Sequence, residues 1–224
     1  MTTTVQSLRA SGVDDKASCR PYVQRMKIDP SEHLTRPWRV HTLAPDFQVL
    51  DVWRFELGPT VPMLDDVLAC FWSMFRASSN SLLARTRLTV GRWMKWDDHD
   101  FTLPIPGCTE HSVQERLSPA DRAASCAPLD ALSPVATPTL RTVYQFVDEA
   151  LYETSNDTIH ALLHVGVVHG GATLAVYVKS RGVFSRAYMA AIGPARHLVI
   201  YPALTRKLEA AWRARDSNAN LAAR

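Results

Sequence analysis

The chain has 224 residues, long for one domain and short for two, so a single globular domain with flanking segments is expected. Hydrophobic residues make up 46%, an ordinary supply for a packed core. The net charge of +3 is spread along the chain instead of gathered into basic runs, which argues against nucleic acid as a partner.

The first twenty residues, MTTTVQSLRASGVDDKASCR, lack the continuous apolar core of a signal peptide. Cys19, Cys70, Cys108 and Cys126 form no CxxC pair, so reduced thiols in a cytoplasmic chain are expected. Residues 1–35 are polar and aperiodic and read as a disordered or loosely attached arm. That leaves one domain over 36–214 and a flexible tail over 215–224.

Ordered structure is expected to begin at PWRVHTLAPDFQVLDVWRFEL. There Phe47, Val49, Asp51, Trp53, Phe55 and Leu57 alternate with Gln48, Leu50, Val52, Arg54 and Glu56, the period of a strand. From Met63 the period changes: Leu64, Val67, Leu68, Phe71, Trp72 and Phe75 recur at three and four residues, an amphipathic helix with Asp65 and Asp66 in its first turn. Leu82, Leu83, Thr86 and Val90 suggest a second, short helix, and Trp93 and Trp96 around Lys95 read as core in preference to a stacking platform. Six prolines between Asp97 and Thr139 make residues 97–139 a long proline-rich connection.

Two hairpins follow. A turn at Gly170 and Gly171 pairs His169 with Ala172, Val167 with Leu174, Val165 with Val176 and Leu163 with Val178, all on an apolar inner face apart from the first pair. A turn at Asn156 and Asp157 pairs Glu153 with His160 and Glu149 with His164 on the outer face, and Ala150 with Leu163 and Asp148 with Val165 on the inner one. On a strand rising about 3.3 Å per residue, His160 and His164 stand about 13 Å apart. Zinc bonds of about 2.0–2.1 Å cannot span that, so acid–histidine pairing is favoured over a metal site, a pH-sensitive surface or a partner contact.

The stretch Ser185–Leu204 is apolar enough to suggest a bilayer span, yet Arg196 and His197 lie at its middle, and a central arginine costs at least about 2.5 kcal/mol on insertion scales. It is read instead as part of a long C-terminal helix starting near Val183 and bent at Pro194. At about 100° per residue, Arg196 shares a side with Tyr188, Ile192, Val199 and Ala203. Arg196 and Asp148 are therefore both directed inward, with Tyr152 and Tyr188 nearby, as the polar end of an apolar pocket. A bulge at Asp148, a phase shift at Pro194 or snorkelling of Arg196 to solvent are the alternatives. One strand, two helices, a long connection, a strand meander and a final helix make an α+β, helix-grip order, a curved antiparallel sheet wrapped around a long C-terminal helix.

The runs PWRVHTLAPDFQVLDVW, PGCTEHSVQERL, ETSNDTIHALLH and AVYVKSRGVFSRAYMAAIGPARHLVIYPAL resemble a bacterial family known only as a domain of unknown function. That family looks like an outlying branch of the START and polyketide-cyclase (SRPBCC, helix-grip) superfamily, and the resemblance spans roughly Pro37 to Trp212. It marks Glu153, Ser155, Asn156, Thr158, His160 and His164, then Arg181, Gly182, Tyr188, Pro194, Arg196, His197, Tyr201 and Pro202. The chain departs from the pattern at Ala195, where a bulkier aromatic residue is usual. The resemblance implies a cavity more strongly than a chemistry. The leading expectation is a hydrophobic small molecule bound between sheet and final helix by Asp148, Tyr152, Tyr188 and Arg196. A cyclase or dehydratase using interior Asp and Tyr groups as acid and base is the alternative, and an interaction module without ligand is another. Without a nucleophile motif, phosphate loop or metal spacing, no cofactor and no metal are expected.

Overall fold

The computed structural model describes residues 26–58, 61–79, 110–129, 131–132, 140–155, 159–181, 206–208 and 210–215. The architecture is α+β. Among these residues six strands, β1 (Met26–Lys27), β2 (Gln48–Glu56), β3 (Arg141–Gln145), β4 (Glu149–Ser155), β5 (Ile159–Val168) and β6 (Gly171–Ser180), form one antiparallel sheet in the order β1-β2-β6-β5-β4-β3. β3 to β6 are a meander, and β2 lies along β6. The helices are α1 (Pro30–Leu34), α2 (Arg39–Leu43), α3 (Leu64–Ser79) and α4 (Pro119–Ala124), with a 3-10 turn at Val113–Arg116. Residues 206–208 and 210–215 are also helical. No helix among the described residues is long and apolar enough to cross a membrane.

Both sheet faces are buried, each under a different cover. α3 forms where the three-and-four period predicts it, and its Leu64, Val67, Leu68, Phe71 and Trp72 pack on Trp53, Phe55, Tyr152, Val165 and Leu174 of the first face. Leu208 and Trp212 complete this layer, and the Trp212 indole donates to the Leu57 carbonyl at 3.1 Å. The second face carries Val52, Leu151, Leu162, Ala175 and Tyr177, covered by Trp38, Val40, Leu43, Val113 and Leu117. Each fully buried aliphatic side chain here contributes roughly 1.5–3 kcal/mol.

Several expectations change. Residues 26–35 belong to the fold: β1 pairs with β2, and α1, capped by the Asp29 carboxylate on the Ser31 amide at 2.8 Å, buries His33 completely. The strand alternation of β2 is broken by a bulge between Val49 and Asp51, so Phe47 and Val49 turn to the second face while Asp51 stays with Trp53 on the first. The proline-rich connection carries structure at its middle, where α4 closes a Ser118–Asp121 capping box.

Both hairpin registers are shifted by two residues from the expected ones. β5 and β6 close at Val168 opposite Gly171, putting Val167 opposite Ala172 and Val165 opposite Leu174. Gly170 takes φ of +80°, a conformation glycine adopts freely, so the turn is His169–Gly170. In the other hairpin Glu153 lies opposite Leu162 and Glu149 opposite Gly166. A two-residue shift keeps every side chain on its expected face. It does move Asp148 beyond the last core pair and into the β3–β4 turn, where it is exposed. The turn at Asn156–Asp157, the short helix at Leu82–Val90, the Trp93–Trp96 pair and the long helix carrying Tyr188, Pro194 and Arg196 lie outside the described residues.

Candidate functional site

Of the four expected ligand-binding residues, Tyr152 stands on the first face, 3% exposed, with the Trp72 ring edge-on at 4.9 Å. Burial pushes its phenol well up, so the hydroxyl stays a donor. Asp148 is not an interior group, for the register reason given above. Tyr188 and Arg196 lie outside the described residues.

The interior carboxylate on this face is Asp51, 1% exposed and in contact with the Lys27 ammonium at 3.1 Å. Cross-strand pairing sets Asp51, Val176, Leu163, Tyr152 and Thr142 in one row across β2, β6, β5, β4 and β3. Both ends of the row are buried polar groups, whereas Leu163 and Val176 at its centre are only half-buried. Sequence reasoning missed Asp51 as an interior acid, although its alternation with Trp53 and Phe55 carried the signal.

The second face holds a polar network. Glu153 accepts hydrogen bonds from the Ser112 hydroxyl (2.5 Å) and the Val113 amide (2.8 Å), and its carboxylate meets the His160 ring at 2.6 Å. Glu149 meets the His164 ring at 2.8 Å and accepts from the Tyr144 hydroxyl and the Arg39 amide, both also at 2.8 Å. The acid–histidine partners are the expected ones, but they are buried, not on a solvent-facing surface: His160 and His164 are 0% exposed. Burial opposes ionisation of both glutamates, yet the histidines and the other donors outweigh it and hold each carboxyl below its ordinary value.

Glu110 extends this network toward the rim. Burial raises its carboxyl, but Lys179 and Arg181 bond it at 2.9 Å and, with His160, bring it down to about 2. Lys179 also reaches Asp46 at 2.9 Å, and Arg181 donates to the Ser155 hydroxyl at 2.8 Å. These bonds fasten residues 110–117 to the sheet. Among the described residues no cluster of three His, Cys, Asp or Glu side chains is arranged to hold a metal.

A family model described as "Protein of unknown function (DUF2867)" matches residues 43–203. The chain belongs to that family. No curated protein and no solved structure matches it. The DUF2867 span contains the Asp51–Tyr152 row and both glutamates with their histidine partners, while His33, Trp38, His41 and the Arg39 amide that bonds Glu149 precede it.

Proposed function

We propose that the chain binds a hydrophobic small molecule on the first sheet face, between β4, β5, β6 and the segment following Arg181. Tyr152 on β4 and Asp51 on β2 flank the apolar Leu163–Val176 pair of this floor, and Tyr188 and Arg196 come from the following segment. The observation that carries the reading is the half-buried Leu163–Val176 pair in the middle of a face whose neighbours Tyr152, Val165 and Leu174 are 3%, 2% and 8% exposed. An apolar floor with a few convergent polar groups is the ordinary make-up of a small-molecule site. The likeness to the START and polyketide-cyclase branch, whose sheets grip a C-terminal helix around such a floor, points the same way.

The chemistry favours binding over acid–base turnover. The Tyr152 hydroxyl is kept protonated by burial, and the Asp51 carboxylate is engaged by Lys27. The ligand is then an apolar body bearing a small polar group, oriented by the Tyr152 hydroxyl donor. Titration with an apolar fluorescent probe tests this. We expect saturable one-site binding that weakens at least tenfold in Val176→Lys and is unchanged in Val147→Lys, at the exposed β3–β4 turn. Absence of saturable binding, or equal affinity in Val176→Lys, contradicts it.

A further inference from the structure

Three histidines from three elements meet beneath the N-terminal helices. The ring of His33 on α1 lies 5.3 Å from that of His41 on α2 and 5.2 Å from that of His164 on β5. Trp38 closes over them, 5.2 Å from His164, in a space that exists because residue 166 is glycine: a β-carbon there would come within 2.9 Å of the indole. His33 and His164 are wholly buried.

Each ring has one engaged nitrogen. His33 Nε2 meets the Tyr177 hydroxyl at 2.7 Å, His164 Nε2 meets Glu149 at 2.8 Å, and His41 donates to the Arg36 backbone carbonyl. The other nitrogens, His33 Nδ1, His41 Nε2 and His164 Nδ1, are buried without a partner. An imidazolium needs two acceptors, so a second proton on His33 or His41 creates a buried donor with nothing to bond, beside two further imidazoles.

The charged and titratable groups around the cluster offer little relief. Glu149 on β4 is the nearest carboxylate and is already shared among His164, Tyr144 on β3 and the Arg39 amide. Arg36 adds positive charge between α1 and α2, the Arg39 guanidinium is turned to Asp121 on α4 at 2.6 Å, and Tyr177 on β6 is a phenol. α1 and α2 have five residues each, far below the length at which a helix persists on its own, so they are helical only while docked.

We propose that residues 30–43 are an acid-released cap over the second sheet face, opened by protonation of His33 and His41, whatever the first face binds. Burial, then His164, His41 and Arg36, push His33 down to about 3, and burial with His164 lowers His41. In the open segment both return toward about 6.5. The open form therefore binds more protons below pH 6.5, and the closed form is fully favoured above it. His33 alone multiplies the opening equilibrium by about 30 between pH 7.5 and pH 5.

Hydrogen exchange at pH 7.5 and 5.0, corrected for the intrinsic rate, reads this equilibrium. Residues 30–43 are expected to lose protection by at least about 30-fold while β5 and β6 keep theirs. His33→Gln retains a partner for Tyr177 but takes up no proton, so its acid step shrinks to the His41 share. His41→Gln, at the less buried edge of the cluster, is the second variant should the first not fold. Equal protection at both pH values, a loss shared by β5 and β6, or an undiminished step in the folded variants overturns the proposal.

Discussion

Glu153 is the most heavily committed side chain of the second face, holding Ser112, Val113 and His160 at once while 2% exposed. Removing it takes the acceptor from the buried Val113 amide and from the Nε2 of His160, whose Nδ1 keeps only the Glu110 carboxylate at 3.2 Å. Glu153→Ala is expected to destabilise the chain by roughly 3–5 kcal/mol in urea unfolding, and Glu153→Gln, which keeps one acceptor, by clearly less. The partnership with His160 was legible in the sequence because acid and histidine alternate in phase along β4 and β5. Its burial was not, because the cover comes from Trp38, Leu43 and Val113, on pieces too short to show a period. Asp148 and Asp51 illustrate the converse. Parity directed both to the first face, and only the register and the bulge decide that Asp148 ends in a turn and Asp51 inside.

Glycines separate the strands that were legible from the registers that were not. Side-chain alternation gave the faces of β5 and β6, but it cannot distinguish registers two residues apart. Gly170 decides this, by taking the positive φ of the turn, and Gly171 then opens β6 against β2. A β-carbon at position 171 would overlap the Phe55 carbonyl, which is paired backbone of β2 and not the far end of a flexible side chain. Gly171→Ala is therefore expected to cost more than the roughly 1–3 kcal/mol typical of overpacking, with exchange protection lost first along β2 and β6. α3 was legible throughout, since more than three turns of apolar period, Leu64 to Phe75, leave no other reading. The edge of β3 was not, because the amide of Cys126 bonding Gln145 at 2.7 Å and the carbonyl of Ala131 accepting from Thr142 at 2.9 Å are backbone events.

The sheet as built has an apolar face under α3 and a titratable face under short helices, and acid strikes the second. Glu110, Glu149 and Glu153 have lowered values in the folded chain, so their contribution is complete above the unfolded carboxyl value of about 4.3 and is lost as pH falls through the folded ones. His33 and His41 are also lowered, so their penalty begins earlier, as pH drops below about 6.5. Both sets have the same sign. Urea midpoints are expected to be level from pH 8 to 7 and to fall continuously from 6.5 to 4, and a stability maximum near pH 5 would show that the histidines are not held neutral.

Binding on the apolar face is the central claim, and native mass spectrometry tests it most directly. The chain is sprayed as purified and again after incubation with long-chain acyl, sterol and fused-ring aromatic compounds. The account predicts a single retained mass of a few hundred daltons, or one-to-one uptake from the panel, abolished in Val176→Lys. A spectrum showing only the bare chain under every condition, or uptake equal in Val176→Lys, contradicts it.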